Sequence, residues 1–218
     1  MTTFTIAMTM PDILINTENI FLNRGICELL SEIAKEEHIR EPYSVVDCST
    51  DILDPIDMLF TEMAAGEHYL CHPFFKKLPP HTSIFIFVAT DSALQVEQLP
   101  LCLRDATFIS MNSDLRRVKN QIAKRLTEST TSSCGGLEKD SRRCVKCPRL
   151  TLTKSQLYII NAIRTGMNNQ QIAQKLGISH KTIFSHKINI MKKFQIATKQ
   201  ELTRFSSVAL ALSAGRIG

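Results

Sequence analysis

TLTKSQLYIINAIRTGMNNQQIAQKLGISHKTIFSHKINIMKKFQIATKQELTRF, residues 151–205, reads as four short helices with a helix-turn-helix at their centre. Thr153-Lys-Ser-Gln156 has the spacing of a capping box, in which hydroxyl and amide side chains satisfy orphan backbone amides at a helix start. Leu157, Ile160 and Ile163 then point inward, with Ile159 and Ala162 beside them, and Gly166 ends the helix. Asn168 or Asn169 caps a second helix with Ile172, Ala173 and Leu176 inward. Gly177-Ile-Ser179 is the tight turn, and Ser179 caps the third helix. Thr198-Lys-Gln-Glu201 is another capping box, opening a fourth helix with the stripe Leu202, Phe205, Ala209 and Leu212.

The third helix, residues 180–194, divides into two faces at 100° per residue. Ile183, Ile190 and Phe194 share one face, with His186 and the stem of Lys187 at its edges. The opposite face carries Lys181, Ser185, Ile188 and Lys192, flanked by Phe184 and Asn189. A helix lying in the major groove needs this division between core and donors or methyl-contacting groups. The DNA-contacting candidates are Lys181, Thr182, Phe184, Ser185, Lys187, Ile188, Asn189 and Lys192. A protein–protein contact would also account for the apolar members. His186 reads as a wedged helix-edge residue rather than a metal ligand.

Charge separates this stretch from the rest. From Arg142 to the end there are 14 Lys/Arg against Glu201 alone, and the preceding residues hold 12 against 20 acids. An acidic module joined to a basic one implies that the basic one meets a polyanion. No apolar run reaches the roughly 18 residues needed to span a bilayer, and MTTFTIAMTMPD has no basic signal-type start. The expectation is a cytoplasmic chain with no membrane contact, whose seven cysteines are reduced.

Residues 1–126 alternate strands and helices, which predicts a small α/β domain with a parallel sheet. Ile13-Leu-Ile15 and Tyr43-Ser-Val-Val46 are short apolar runs, and a helix-period stretch between them leads from Ile20, Leu22 and Ile26 to Leu29, Leu30 and Ile33. PIDMLFTEMAAG reads as a helix with Gly66 past its end, and His68–Cys71 as a weak third strand. Ser83–Thr90 is the clearest strand, apolar almost throughout as a doubly covered strand should be. Thr107–Ser110 is a short last strand, and a final helix puts Leu115, Val118, Ile122 and Leu126 on one stripe.

Residues 127–150 have linker composition, rich in Ser, Thr, Gly and charge. They contain Cys144-Val-Lys-Cys147, with Cys134 ten residues earlier. The pair has zinc-ligand spacing, but a closed site needs four ligands and Cys134 supplies only a third. Arg142, Arg143 and Lys146 would lower the thiol pKa values, which leaves a redox or metal sensor built on Cys144 and Cys147 as the rival function. An incidental basic tether is the plainer reading.

Two resemblances follow from these residues. Ile13 to Ile26, and Thr107 to Leu126, resemble the first and last strand–helix units of response-regulator receiver domains. That likeness implies an acidic pair for Mg²⁺, a phosphoaccepting Asp and a Lys. Here the corresponding places hold Thr17 and Glu18, and Ser110-Met-Asn112, and no Asp follows the third-strand candidate. Asp47 is the one acceptor candidate, and its spacing suits the end of a second strand better. Leu152-Thr153, Gly166, Gln171-Ile-Ala173, Leu176–Ser179, Lys181-Thr-Ile183, His186 and Lys193-Phe194 resemble the LuxR/FixJ-type helix-turn-helix along its length. In that family the third helix reads the major groove and the fourth helps dimerisation. The family's usual Glu in the first helix is Gln156 here, which implies a looser tie to Lys193.

A degenerate receiver-like half on such a head looks like the auxiliary regulators of the RcsA type, which act with a partner response regulator. The expected chain is therefore a receiver-like α/β domain (1–126), a linker (127–150) and an all-α four-helix DNA-binding domain (151–218). It would be a non-enzymatic, cofactor-free transcription regulator, independent of phosphorylation. It would bind double-stranded DNA as a homodimer or as a heterodimer with a related response regulator. A protein that sequesters such a partner is the remaining alternative.

Overall fold

The computed structural model describes residues 11–36, 44–46, 56–89, 94–131 and 147–214. The chain clusters into two units. The first comprises residues 1–62, 77–87 and 106–140. The second joins residues 63–76 and 88–105 to residues 141–218.

The first unit is built on a five-stranded sheet of order β2-β1-β3-β4-β5, made of β1 (Asp12–Asn16), β2 (Ser44–Val46), β3 (Met58–Met63), β4 (Ser83–Val88) and β5 (Thr107–Ser110). β1 runs parallel to both neighbours, pairing Ile13 with Val45 and with Met58. This is one of the two common orders of doubly wound sheets. Alternate residues of each strand share a face. Ile13 and Ile15, Met58 and Phe60, and Phe85 and Phe87 form one buried cluster with α1 (Ile20–Glu36) and α2 (Leu115–Thr131). Phe60 and Phe85 stack across β3 and β4 with centroids 4.8 Å apart and planes 8° from parallel. Leu14, Leu59 and Ile86, on the alternate positions, are buried as well.

Asp57 stitches the amino ends of three strands. Its carboxylate accepts from Asp12 N at 3.0 Å, its N–H donates to Asp12 O at 2.9 Å, and its carbonyl accepts from Ser83 N at 2.8 Å. At the opposite edge the polar residues cap helices. Thr17 Oγ1 accepts from Asn19 N, Asn19 Oδ1 accepts from Phe21 N and Leu22 N, and Asp114 Oδ1 accepts from Arg116 N and Arg117 N. Lys119 bridges the two helices through Glu32 and Glu36.

Several expectations are corrected here. PIDMLFTEMAAG is the strand β3, not a helix. Met, Leu, Glu and Ala favour helix in isolation, but a six-residue run buried on both faces takes its conformation from the flanking strands. His68–Cys71 is not a strand; Glu67–Tyr69 forms a 3-10 turn opened by Gly66. Ile20 is 72% and Leu115 66% exposed, because each lies in the first turn of its helix, outside the buried stripe. Asp47, Cys134 and Cys144 lie outside the described residues.

The second unit contains α3 (Lys154–Arg164), α4 (Asn169–Leu176), α5 (His180–Lys193) and α6 (Lys199–Ala214). α3 packs on α5 and α6, and α4 on α5. The core holds Ile159, Ile160, Ile172, Ile183, Ile190, Phe194, Leu202, Phe205 and Ala209; Phe194 and Phe205 meet at 4.7 Å. The inward face of α3 is centred on Ile159, Ile160 and Ala162, and Leu157 and Ile163 flank it half-buried. Around this bundle run the 3-10 turns Glu67–Tyr69, Phe74–Lys76, Val96–Gln98 and Leu101–Leu103.

His68 and His72 are largely enclosed in this unit, and burial lowers each pKa to about 4, with the Glu67 backbone pulling that of His72 partway back up. Their ordinary value is about 6.5, so the unfolded chain takes up protons first. The stability they allow is complete above about pH 6.5 and is lost as pH falls toward 4. Lowering pH from about 7.5 to about 5 should remove roughly 2 kcal/mol per histidine. Urea unfolding at the two pH values checks this. The loss should shrink in His68→Gln; an equal loss in that variant would refute the assignment.

Candidate nucleic-acid interface

Each helix of the bundle starts on a side-chain cap. Thr153 and Gln156 form the reciprocal box, with Thr153 N donating to Gln156 Oε1 at 3.0 Å and Gln156 N to Thr153 Oγ1 at 3.2 Å. Asn168 does the same with Gln171, at 2.8 and 2.9 Å. Ser179 Oγ accepts from Thr182 N at 3.1 Å, and Thr198 pairs reciprocally with Glu201. Gly177 closes α4 at φ 64°, a left-handed conformation open to glycine without steric cost. This turn sets the direction in which α5 leaves α4.

α5 turns Ile183 and Ile190 inward. Lys181, Thr182, Phe184, Ser185, Asn189 and Lys192 are exposed, and Ile188 is half-buried. One solvent-facing surface thus gathers two ammonium groups, an amide, hydroxyls and an aromatic ring. Phe184 is 52% exposed. The Ser185 hydroxyl donates to Lys181 O at 3.1 Å, so its oxygen is presented outward as an acceptor. Thr182 Oγ1 lies 2.8 Å from Ser179 Oγ at the helix start.

Lys187 stands apart from this surface. Its half-buried ammonium donates to Asn169 Oδ1 in the first turn of α4, and burial, then nearby Lys199, lowers its pKa. Lys187 therefore braces α5 against α4. His186 is half-buried at the edge. Lys193, for which the missing Glu implied a loose tie, donates to Thr151 O at 2.6 Å while Gln156 serves the Thr153 cap. The tie exists with a backbone carbonyl in place of a carboxylate.

Sequence reading passed over two features. Asn169, two residues after Met167, carried no sign that its amide would receive Lys187. Tyr69 lies outside the helical bundle altogether, yet its hydroxyl donates to Gln195 Oε1 at 2.6 Å. Among the described residues no three His, Cys, Asp or Glu side chains converge as a metal set. Cys147 Sγ accepts from Leu101 N at 3.5 Å. No helix among the described residues is long and apolar enough to cross a membrane.

Residues 150–206 match the bacterial regulatory proteins of the luxR family. The four-helix bundle is a luxR-family helix-turn-helix. Among relatives, the oxygen regulatory protein NreC of Staphylococcus carnosus is 29% identical over 102 residues, 47% of each chain. NreC of Staphylococcus epidermidis is 30% identical over 114 residues, 50% of this chain and 47% of its own. The chain thus spans about half the length of these curated relatives. Two solved structures share the fold of the luxR-type head with a sheet domain before it. The response regulator RcsB in its DNA complex has a TM-score of 0.50 at 17% identity, covering 92% of this chain and 99% of that one. RcsB from Salmonella enterica serovar Typhimurium, bound to promoter P1flhDC, reaches 0.54 at 17% identity with the same coverage.

The caps of the luxR-type head contribute directly to its stability. Asn168→Ala leaves the Gln171 amide at the start of α4 without its partner and should cost about 1 kcal/mol. Thermal unfolding of the full chain checks it, and an unchanged midpoint would contradict the assigned cap.

Proposed function

We propose that the protein is a sequence-specific, non-enzymatic transcription regulator that inserts α5 into the major groove of double-stranded DNA. The observation that carries this is the exposed face of α5, where Lys181, Ser185, Asn189 and Lys192 surround Phe184 on a helix whose other face is core. Lys181 and Lys192 suit phosphates or guanine edges, and Asn189 suits adenine. Ser185, whose hydrogen is committed to Lys181 O, is an acceptor and so fits the amino group of adenine or cytosine. Phe184 and Ile188 suit thymine methyls. Thr182 borders this face at the amino end of the helix, within reach of the phosphate backbone. Lys187 contributes by holding α5 in place.

The regulator acts independently of phosphorylation. At the carboxyl edge of the sheet, Thr17, Asn19 and Asp114 are occupied in helix caps, and Ser110 Oγ accepts from Asn112 N. β3 ends in Thr61-Glu-Met63 followed by Ala64, with no Asp. A hard cation needs several converging oxygens, and these groups are already engaged. The chain works in the cytoplasm as a homodimer or with a related response regulator, and the regions 1–126, 127–150 and 151–218 serve as receiver-like domain, linker and DNA-binding domain, with residues 63–76 and 88–105 of the first region grouped with the DNA-binding domain in the second unit. The RcsB structures bound to DNA, which share this fold, are in keeping with that reading.

Selection from a random duplex pool by the purified protein tests the proposal. A symmetric enriched site is expected, or one that appears only when a response regulator is added. Lys181→Ala and Ser185→Ala should each cost at least about 1 kcal/mol in binding that site. If both variants keep affinity and preference, the reading face is wrong. Replacing Cys144 and Cys147 together by Ser should leave DNA binding unchanged; a loss would favour the cysteine-based sensor.

A further inference from the structure

The carboxyl end of the reading helix has an unusual stop. Ile196 N donates to Met191 O at 2.8 Å and Gln195 N to Lys192 O at 3.4 Å, the paired bonds of a Schellman motif. The residue that donates the second of these bonds must be left-handed, a place usually taken by glycine. Here it is Gln195, at φ 54°, and among the described residues it is the one non-glycine with positive φ. A side chain in that conformation costs free energy, so something else must hold it.

That hold comes from residues 66–69. The Tyr69 ring is fully buried, and its hydroxyl donates to Gln195 Oε1 while accepting from Gln95 N at 3.1 Å. Tyr69 O accepts from Leu150 N at 3.0 Å, so one residue grips both the entry to the bundle and the end of α5. Gly66, at φ 80°, lies so close that a Cβ there would meet Phe194 O at 2.7 Å and Phe194 Cβ at 2.9 Å. All of these residues belong to the second unit.

We infer that Tyr69, from outside the luxR-family segment, is a positioning residue for DNA reading: its hydroxyl fixes Gln195 and thereby the end and tilt of α5. The inference rests on the DNA-reading proposal above. It predicts that the isolated four-helix segment lacks a component of its own reading geometry. It also assigns residues 66–69 a place in specificity without contact to DNA.

The experiment uses the full chain with two probes, the duplex selected by the wild type and an unrelated duplex of equal length. Tyr69→Phe keeps the buried ring and removes the hydroxyl. It should weaken binding to the selected duplex roughly fivefold or more, the scale of a left-handed side chain's cost. Affinity for the unrelated duplex should stay within about twofold, because that binding depends on charge. Gln195→Gly accepts positive φ unaided, so alone it should weaken selected-duplex binding less than Tyr69→Phe does. Added to Tyr69→Phe, it should restore selected-duplex affinity to within about twofold, a coupling read from the double-mutant cycle. Unchanged binding by Tyr69→Phe, equal weakening on both duplexes, or no rescue by Gln195→Gly would each overturn the inference. If the wild type selects no duplex, alone or with a response regulator, the DNA-reading proposal itself falls, a result distinct from any of these.

Discussion

The burial of one face of α5 is the constraint on which the rest of the bundle depends. Ile183, Ile190 and Phe194 are fully enclosed, and Phe194 meets Phe205 of α6 ring to ring. Burying three such side chains stabilises the bundle by several kcal/mol, on the order of 2 for each. That energy fixes the rotation of the helix about its axis. A rotation of one residue, about 100°, would place Phe184 inside and Ile183 in water. The exposed face is thus set by what the buried face fits, and the brace from Lys187 to Asn169 and the tie from Lys193 to Thr151 lock the same rotation at two further points.

The sheet unit obeys a different constraint. Its central strands are covered on both faces, so Leu14, Leu59 and Ile86 are as buried as their neighbours on the helix side. Such strands leave polar chemistry only at their ends. The amino ends are stitched through Asp57, and the carboxyl ends are capped through Thr17, Asn19, Ser110 and Asp114. A doubly wound sheet of this order ordinarily presents its ligand crevice at the carboxyl edge. Here Thr17, Asn19, Ser110 and Asp114 each accept a backbone hydrogen bond, and Glu18 is an exposed carboxylate beside them.

What was legible in the sequence follows from the range of each interaction. Capping boxes close within four residues, so Thr153–Gln156 and Thr198–Glu201 were plain in the chain, as was Ser179 before α5. The apolar run Ser83–Val88 announced itself because a strand buried on both faces has no alternation to hide in. The same property concealed β3. Met58-Leu-Phe-Thr-Glu-Met63 carries Met, Leu and Glu, which favour helix, around Phe60 and Thr61, which favour strand, and its two neighbouring strands decide for the extended form. The exposed face of α5 was legible from periodicity alone. The displacement of Lys187 to Asn169 was not, since it depends on how closely α4 approaches.

The Tyr69–Gln195 bond marks the limit of that legibility, because its partners lie 126 residues apart and neither residue type signals the other. It also explains an apparent conflict between local and global structure. A helix stop of the Schellman type calls locally for glycine, and a chain that puts glutamine there accepts a local penalty. The penalty is tolerable because the amide gains the hydroxyl of the buried Tyr69 as a partner, and the neighbouring backbone can come that near only because residue 66 is itself glycine. Local strain at Gln195 and the absence of a side chain at Gly66 are two halves of one contact. Ending α5 on a glutamine rather than a glycine makes its last turn depend on residues far upstream in the chain, where a self-sufficient cap would have made it independent of them.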